Sequence, residues 1–277
     1  MASAQTLVII HGGGEMGSAV GHALHREGYR LLVLDRPLPG ALRLGVAFCA
    51  AAVAPGGVLE VQGVEVVHAA DPDAIEAAWA AGRVALFTGD PAALSYRPAV
   101  LIDARMRQLT EPLQHLAPGG PHVLGIGPGF TVGEDCHQIL ESNRGPALGR
   151  VIQEGSAEAH TGVPGEVQGL RQERILRSPV AGVLERRVEL GAFVEAGEVV
   201  ARVGGQDVTS GVAGMVRGLK LDGVRVGAGH KIGDVDPRRD RSLLQTLTDK
   251  AEALGRAACT ALELAGISPQ NQPTASE

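Results

Sequence analysis

The chain has 277 residues, a formal net charge of −6, 44% hydrophobic residues and 3% aromatic residues. This apolar fraction supports a buried core and excludes a fully disordered chain. The acidic balance and the few aromatic rings argue against a nucleic-acid partner, because duplexes require clustered Lys and Arg and single strands require stacking rings. The 39 glycines are about twice the average share, which is typical of tight turns or of backbone that closely approaches a ligand.

Cysteine usage and the length of the apolar runs bear on the cellular compartment. Cys49, Cys136 and Cys259 are scattered without a CxxC pair, which fits a reducing compartment and argues against structural zinc or disulfides. The first residues lack the basic and apolar regions of a signal peptide. No apolar run reaches the roughly 18–20 residues of a membrane span. We therefore expect a cytoplasmic protein with neither a membrane partner nor a metal site.

Residues 1–135 alternate short apolar runs with helical patterns. Helices are predicted over residues 17–27 and 71–81, the second with Asp71 as its N-cap and Pro72 as its first helical residue. Apolar strands separated by helices are typical of a parallel sheet covered on both faces, so this segment predicts a Rossmann-like α/β domain. The predicted strands cover residues 6–10, 30–34, 64–67, 84–88, 99–102 and 122–126.

An internal repeat follows a glycine-rich junction over residues 136–173, near which a helix is predicted over residues 134–142. Residues 180–203 align with residues 212–235 without a gap, at an offset of 32. Neither half can bury its own apolar face. We therefore predict that both pair into one small all-β barrel-sandwich domain over residues 174–238.

The end of the chain predicts a helix and a tail. The segment 239–266 carries apolar residues at helical spacing from residue 242 to residue 265. Ser242 and Gln245 are the expected capping box of this amphipathic helix. The polar residues 267–277 predict a disordered tail.

A glycine-rich loop lies between the first predicted strand and the first helix. Gly12, Gly14 and Gly17 stand in GGGEMG, and Asp35 ends the next strand. This spacing is typical of dinucleotide binding, in which the glycines admit the pyrophosphate at the helix N-terminus and the acidic residue accepts a hydrogen bond from a ribose hydroxyl. A similar fold without a cofactor is the alternative.

A second glycine-rich loop follows the last predicted strand of the sheet. Gly125, Gly127, Gly129 and Thr131 could present successive N–H groups to an anion, or the segment could be a turn that closes the sheet. Ligands of open α/β sheets bind beyond the carboxyl ends of the strands. We expect the site there to include the polar residues Asp103, Arg105, Asp135, His137, Asn143 and Arg144.

Two of these polar residues suggest catalysis. Asp135 and His137 are candidates for acid–base chemistry, because a carboxylate can orient an imidazole. Ordinary solvated loop charges are the alternative for each of the six. Whether the protein is an enzyme stays open at this point.

Several ungapped stretches together resemble one protein family. They are HGGGEMGSAVGHALHREGYR, IDARM, GIGPGFTVGEDCHQILESNRGPALGRVIQEGSAEAHTGVPGEVQG at 125–169, and KIGDVDPR. The chain is similar, over nearly its whole length, to the accessory proteins of the selenium-dependent molybdenum hydroxylase system, a bacterial maturation family. The resemblance implies a cytoplasmic role in maturing or supplying a molybdenum hydroxylase such as a relative of xanthine dehydrogenase. It implies this hydroxylase or its maturation proteins as partners, and it implies no particular reaction.

The chain departs from the family pattern at three positions. His11 and Glu15 stand where the pattern has Arg and Asp, and Cys136 stands where an aliphatic residue is expected. We therefore expect no chemistry from these three side chains.

The repeat also resembles the biotinyl/lipoyl carrier fold, in the order SPVAG, GAFVEAGEVV, SGVAGMV and GVRVGAG. Carriers of this kind hold a modified lysine at the hairpin between the halves. Here the hairpin at residues 204–207 has no lysine, and Lys231 lies in a later strand. We expect neither biotin nor lipoate, and a docking or structural role for this module.

Three hypotheses about function follow. The first is an accessory factor for hydroxylase maturation whose two glycine loops bind a pyrophosphate-bearing ligand, such as a dinucleotide or a molybdopterin nucleotide. The second is an NAD(P)-dependent oxidoreductase, which the GGGEMG loop with Asp35 favours. The third is a noncatalytic docking protein, which the lysine-free module favours. A homo-oligomer is compatible with all three.

Overall fold

The N-terminal half folds around one mixed sheet of nine strands, of which seven consecutive strands run parallel. A computed structural model describes residues 5–106 and 119–270. Most of the tail predicted over 267–277 lies outside the described residues. In chain order the elements are β1 (Leu7–His11), α1 (Glu15–Arg26), β2 (Arg30–Leu34), β3 (Val58–Val61), β4 (Val64–Ala69), α2 (Pro72–Ala80), β5 (Val84–Phe87), β6 (Val100–Asp103), β7 (His122–Ile126), β8 (Gln138–Leu140) and β9 (Val151–Ile152).

The strand order is β3-β4-β5-β2-β1-β6-β7-β8-β9, with β3 and β9 antiparallel at the two edges. The predicted parallel sheet is confirmed, as is the N-cap of α2, where Asp71 Oδ1 accepts from Ala74 N at 2.8 Å. Because β5 lies between β2 and β4, the order differs from the 3-2-1-4-5-6 order of dinucleotide-binding domains. The connections after β1 and β6 lead to opposite sides, so the topological switch point lies between these two strands.

The helix predicted over residues 134–142 is wrong, because Gln138–Leu140 forms strand β8 beside β7. All three of its residues are buried. Ile139 packs in a buried hydrophobic cluster with Val123 and Phe130. Neighbouring side chains therefore cover this strand. Pairing with β7 satisfies the hydrogen-bonding groups of the β8 backbone. An isolated helical turn at this position would bury only one side of the segment.

The C-terminal half contains two four-stranded antiparallel sheets and one helix. The sheets have the orders β10-β17-β15-β12 and β14-β13-β11-β16. The elements are β10 (Ile175–Arg177), β11 (Gly182–Arg186), β12 (Phe193–Val194), β13 (Val199–Val203), β14 (Gln206–Thr209), β15 (Gly214–Leu219), β16 (Arg225–Val226), β17 (Lys231–Asp236) and α3 (Asp249–Leu264).

The two halves of the repeat exchange their shortest strands. The starts of β11, β12 and β13 recur 32 residues later as the starts of β15, β16 and β17. Strand β12 pairs with β15, and β16 pairs with β11, so each half completes the sheet of the other. Apolar residues of both halves share one buried cluster, which is the physical reason that a single half would not fold alone.

Helix α3 begins seven residues later than the predicted start, and the expected capping box at Ser242 is wrong. Residues Arg241–Leu244 form a short 3₁₀ turn, and Thr248 is the N-cap of α3. Arg43 explains the interruption, because its guanidinium donates hydrogen bonds to the carbonyl oxygens of Leu243 and Thr246. Those carbonyls are therefore not available to continue a helix. Helix α3 packs along α1, and no helix in the described part of the chain is long and apolar enough to cross a bilayer.

We predict that Gly17→Ala destabilises the fold by about 1–3 kcal/mol, because overpacking against backbone is costly. A Cβ at Gly17 would lie 2.0 Å from the carbonyl oxygen of Gly12. Denaturant unfolding of both proteins gives the measurement. Gly14→Ser is the matched control, since Gly14 has open space, an extended conformation and the N-cap position of α1, where serine is favoured. Equal stability of the two variants would contradict this packing.

Candidate functional site

The first glycine loop is packed against its neighbours. Gly12 has φ +99°, and a Cβ there would meet the backbone of Ala104 at 3.1 Å. Gly17 allows α1 to approach Gly12 closely, because a Cβ at Gly17 would lie 2.0 Å from the Gly12 carbonyl oxygen. Gly14 alone among the three predicted glycines faces open space. The binding of a pyrophosphate at this loop stays a prediction, and Gly14 is the position with room for it.

Asp35 braces the same loop. Its Oδ2 accepts from the backbone N–H of Gly13 at 2.7 Å, and its Oδ1 accepts from the backbone N–H of Arg36 at 2.7 Å. Both carboxylate oxygens are therefore engaged with backbone. A ribose hydroxyl would have to share a carboxylate that already holds the loop in place.

Glu15 and Arg43 form a buried ion pair behind the loop. Their side chains are 17% and 5% exposed. Glu15 Oε1 also accepts from Thr248 Oγ1 at 2.8 Å, and Arg43 also donates to the carbonyl oxygen of Thr246 at 2.6 Å. The pair thus joins the start of α1 to the start of α3, and a carboxylate in this position is structural.

The second glycine loop uses much of its own polarity. A Cβ at Gly125 would lie 2.6 Å from the ring of Phe130, so this glycine makes room for an aromatic side chain. Gly127 N donates to the carbonyl oxygen of Leu140 at 2.9 Å, and Thr131 N donates to Asp135 Oδ2 at 2.8 Å. These two amides are therefore committed within the protein. The remaining predicted glycine of the loop is Gly129, which has φ +93° and lines a cleft described below.

The structure separates the six predicted polar residues. Arg105 folds back on the buried Asp103 at the carboxyl end of β6, with Nε to Oδ1 at 2.9 Å. His137 lies beside the amino end of β7, where its Nδ1 accepts from the backbone N–H of Val123 at 2.9 Å and its ring stacks on His122 at 4.9 Å. Asp135 and His137 thus have separate partners and are not brought together as an acid–base pair.

Asn143 and Arg144 line a large cleft, together with Gly129. The cleft has a volume of about 1560 Å³. On one side it is bounded by the loop after β7 and by residues 157–166. On the other it is bounded by the start of α3 and by the two small antiparallel sheets, here called the β-sandwich, at the end that carries β10 and β17. Arg144 binds Asp249 through two hydrogen bonds of 2.7 and 3.0 Å. Of the predicted site residues, these three are the ones that the structure brings into one cavity.

The cleft is strongly basic. Among the described lining residues the carboxylate is that of Glu166, which pairs with Arg171 at 3.0 Å. All three lysines of the chain line the cleft. The lining Lys and Arg side chains are Arg144, Arg171, Arg177, Lys220, Lys231 and Lys250. A protein with a net charge of −6 therefore concentrates positive charge in one cavity, which attracts anions.

The lysines were missed as a set at the sequence level. Burial lowers the pKa of each of Lys220, Lys231 and Lys250 from its ordinary value, and neighbouring guanidinium groups lower it further. The available signal was that an acidic chain has three lysines, all in its last 60 residues. Only the fold shows that they converge.

The thiol of Cys136 is chemically quiet. It is fully buried, and burial, together with the nearby Asp135 carboxylate, raises the pKa of Cys136 to about 12. Thiolate is the nucleophilic form. This agrees with the expectation that Cys136 carries no chemistry.

Fold and cleft define an α/β protein with a mixed, mostly parallel nine-stranded sheet, two small antiparallel sheets, a C-terminal helix and a basic cavity. No family model matches the chain. It is 35% identical over 262 residues to the uncharacterized protein YqeB of Escherichia coli K12, a match that covers 94% of this chain and 48% of YqeB. The chain is thus a homologue of YqeB and spans about half of its length.

Solved structures give only a weak likeness. The product-bound ectoine utilization protein EutE (DoeB) of Ruegeria pomeroyi is 12% identical with a TM-score of 0.23, covering 83% of this chain and 58% of that protein. An aspartoacylase family protein of Mesorhizobium loti is 12% identical with a TM-score of 0.24, covering 84% of this chain and 86% of that protein. Likenesses of this degree carry no conclusion about this chain.

We predict that Arg43→Met costs about 3–5 kcal/mol of unfolding free energy, because it leaves the Glu15 carboxylate buried without its cation. Denaturant unfolding measures the loss. The control is Arg83→Met, which removes an exposed pair with Glu65 at 2.9 Å and should cost less than about 1 kcal/mol. Similar losses of unfolding free energy in both variants would show that the buried pair contributes no more to stability than the exposed pair.

We also predict a contribution of His122 to acid sensitivity. Burial and the adjacent His137 lower the pKa of His122, so the unfolded chain binds the proton at higher pH than the folded chain does. This contribution to stability is complete above the ordinary pKa of about 6.5 and is lost as the pH falls towards the lowered folded value. Unfolding of the wild type and of His122→Gln from pH 7.5 to pH 5 should show a shallower pH dependence in the variant. Parallel curves would refute the contribution.

Proposed function

We propose that this protein is an accessory factor in the maturation of molybdenum hydroxylases and that it holds an anionic, phosphate-bearing ligand in the basic cleft. The observation that carries the ligand proposal is the convergence of all three lysines with three arginines around one cavity. Lys and Arg side chains are both established binders of phosphate groups, Lys as a point charge and Arg through its planar fork.

The family resemblance and the cleft involve the same part of the chain. Most of the lining residues fall within residues 125–169, the stretch that most resembles the hydroxylase accessory proteins. A ligand site built by that stretch accounts for the run of turns and polar groups over residues 157–166, which lines the cleft. A ligand in the cleft would lie beside the predicted second glycine loop, at Gly129.

The oxidoreductase hypothesis has less support. The amide of Gly13 and the carboxylate of Asp35 bind each other at 2.7 Å, and these are groups on which a dinucleotide would depend. The strand order also differs from that of dinucleotide-binding domains. A nicotinamide cofactor would have to displace these contacts.

A noncatalytic docking role is a second candidate, and one exposed side chain favours it. Phe193 on β12 is 44% exposed. The guanidinium groups of Arg239 and Arg241 each lie 5.3 Å from the centre of its ring. Aromatic and Arg side chains are enriched where protein partners bind most tightly. Docking through this cluster is compatible with a ligand in the cleft.

Native mass spectrometry of the purified full chain, combined with copurification, tests the proposal. We expect retained mass from a phosphate-bearing ligand and recovery of a molybdenum hydroxylase or its maturation proteins. Molybdopterin nucleotides should raise the melting temperature more than NAD or NADP at equal concentration. Stabilisation by NAD alone, with no hydroxylase recovered, would favour the oxidoreductase.

The charge of the cleft predicts a pH dependence. Because burial lowers the lysine pKa values, the ammonium groups lose their protons at a lower pH than exposed lysines, whose pKa is about 10.4. Affinity for a phosphate-bearing ligand should therefore decrease as the pH rises from 7.5 to 9.5. Calorimetric titration at fixed ionic strength measures this. An affinity that is constant over this range would remove the lysines from the site.

A further inference from the structure

We infer that Lys231 and Lys250 form a binding site for a diphosphate group in the cleft. This site is called the diphosphate seat below. This inference deepens the proposed function and rests on it only in taking the cleft as the ligand site. It assigns the ligand class, a molecule with two adjacent phosphates, and the two side chains that hold those phosphates.

Lys250 is a cation whose neighbouring carboxylates accept hydrogen bonds from other groups. Its ammonium makes no hydrogen bond or ion pair among the residues that the structure describes, although it is only partly exposed. The carboxylates that act on its charge are those of Glu15, Glu141 and Asp249. A partly buried ammonium that lacks a direct hydrogen-bond partner is costly, and an anion in the cleft would supply one.

Each of those carboxylates has other partners. Asp249 is held by both terminal nitrogens of Arg144, at 2.7 and 3.0 Å. Glu15 is held by Arg43 and by Thr248. The buried Glu141 accepts from the backbone N–H of Asn143 at 2.7 Å and from that of Glu158 at 2.8 Å. Among the described residues, none of these carboxylates forms a hydrogen bond or ion pair with Lys250, so its ammonium can bind a group that enters the cleft.

Lys231 belongs to a cluster with surplus positive charge. Its Nζ lies 3.7 Å from Asp234 Oδ1, beyond hydrogen-bond distance. Asp234 already accepts from Arg174 at 3.1 Å and from Arg217 at 2.7 Å. Arg217 and Arg238 also pair with the buried Asp236 at 3.4 and 2.6 Å, so four cations share two buried carboxylates. The side chain of Lys231 is 38% exposed and lines the cleft, so its ammonium can meet an anion there.

The two lysines line the same cleft from different elements, and the Glu15 carboxylate raises the pKa of both. Lys231 begins β17 in the β-sandwich, while Lys250 lies in the first turn of α3. Two separate ammonium groups match two linked phosphates better than a single phosphate, because each phosphate then has its own cation. An ammonium group is a compact point charge with three donors, and it binds phosphate oxygens without requiring a planar arrangement.

Calorimetric titration of the full chain with inorganic pyrophosphate and with orthophosphate at fixed ionic strength tests the seat. We expect pyrophosphate to bind at least about tenfold more tightly than orthophosphate, a difference of about 1.4 kcal/mol. Lys231→Gln and Lys250→Gln should each weaken pyrophosphate binding by about tenfold or more, and the double variant should abolish it. Lys250→Arg should retain part of the affinity, because it keeps the charge.

Arg83→Gln is the matched control, since it removes one positive charge from an exposed site outside the cleft. Its pyrophosphate affinity should equal that of the wild type, and circular dichroism should show every variant folded. Equal affinity for the two anions, or an unchanged affinity in Lys250→Gln, would overturn the seat.

The inference and the proposed function can fail separately. If pyrophosphate does not bind but the purified chain retains a ligand and recovers a hydroxylase, the diphosphate seat is wrong and the proposed function stands. If the lysine variants lose pyrophosphate but no hydroxylase is recovered under any condition, the seat stands and the maturation role is wrong.

Discussion

The ion pair between Arg43 and Glu15 is the contact on which the rest of the structure depends. The guanidinium of Arg43 holds Glu15 at the start of α1 and, on the other side, the carbonyl oxygens of Leu243 and Thr246 before α3. It therefore positions α3 against the sheet. It also neutralises Glu15, which would otherwise offset the lysine charge of the cleft. A buried ion pair of this kind contributes specificity of arrangement more than net stability.

The β-sandwich and the nine-stranded sheet contribute different parts of the cleft. The exchange of β12 and β16 between the repeat halves makes a small rigid body, from which Lys231 projects at the start of β17. The sheet contributes Gly129 after β7, and α3 contributes Lys250. Cavities where separately packed layers meet are common ligand sites. The meeting also explains the charge, since Arg177, Lys220 and Lys231 come from the two small antiparallel sheets, whereas Lys250 comes from α3.

Local patterns predicted well where local physics decides. The strand β7 and the N-cap of α2 follow from apolar runs and from the Asp-Pro start, which need only near neighbours. Predictions failed where distant contacts decide. Residues 134–142 became a strand because β7 offered its edge, and the helix expected from Ser242 starts at Asp249 because Arg43, 200 positions earlier, binds the Leu243 carbonyl.

The amino-acid sequence by itself determined the parallel sheet and the 32-residue repeat, because the alternation of apolar runs and glycine turns depends only on residues close together in the chain. It also predicted a ligand near the second glycine loop, and three of the residues named in that prediction, Gly129, Asn143 and Arg144, line one cleft. Only the tertiary structure decided the charge of that cleft. Lys231 and Lys250 are isolated in sequence, and electrostatic interaction depends on distance through space, so their convergence exists only in the folded protein.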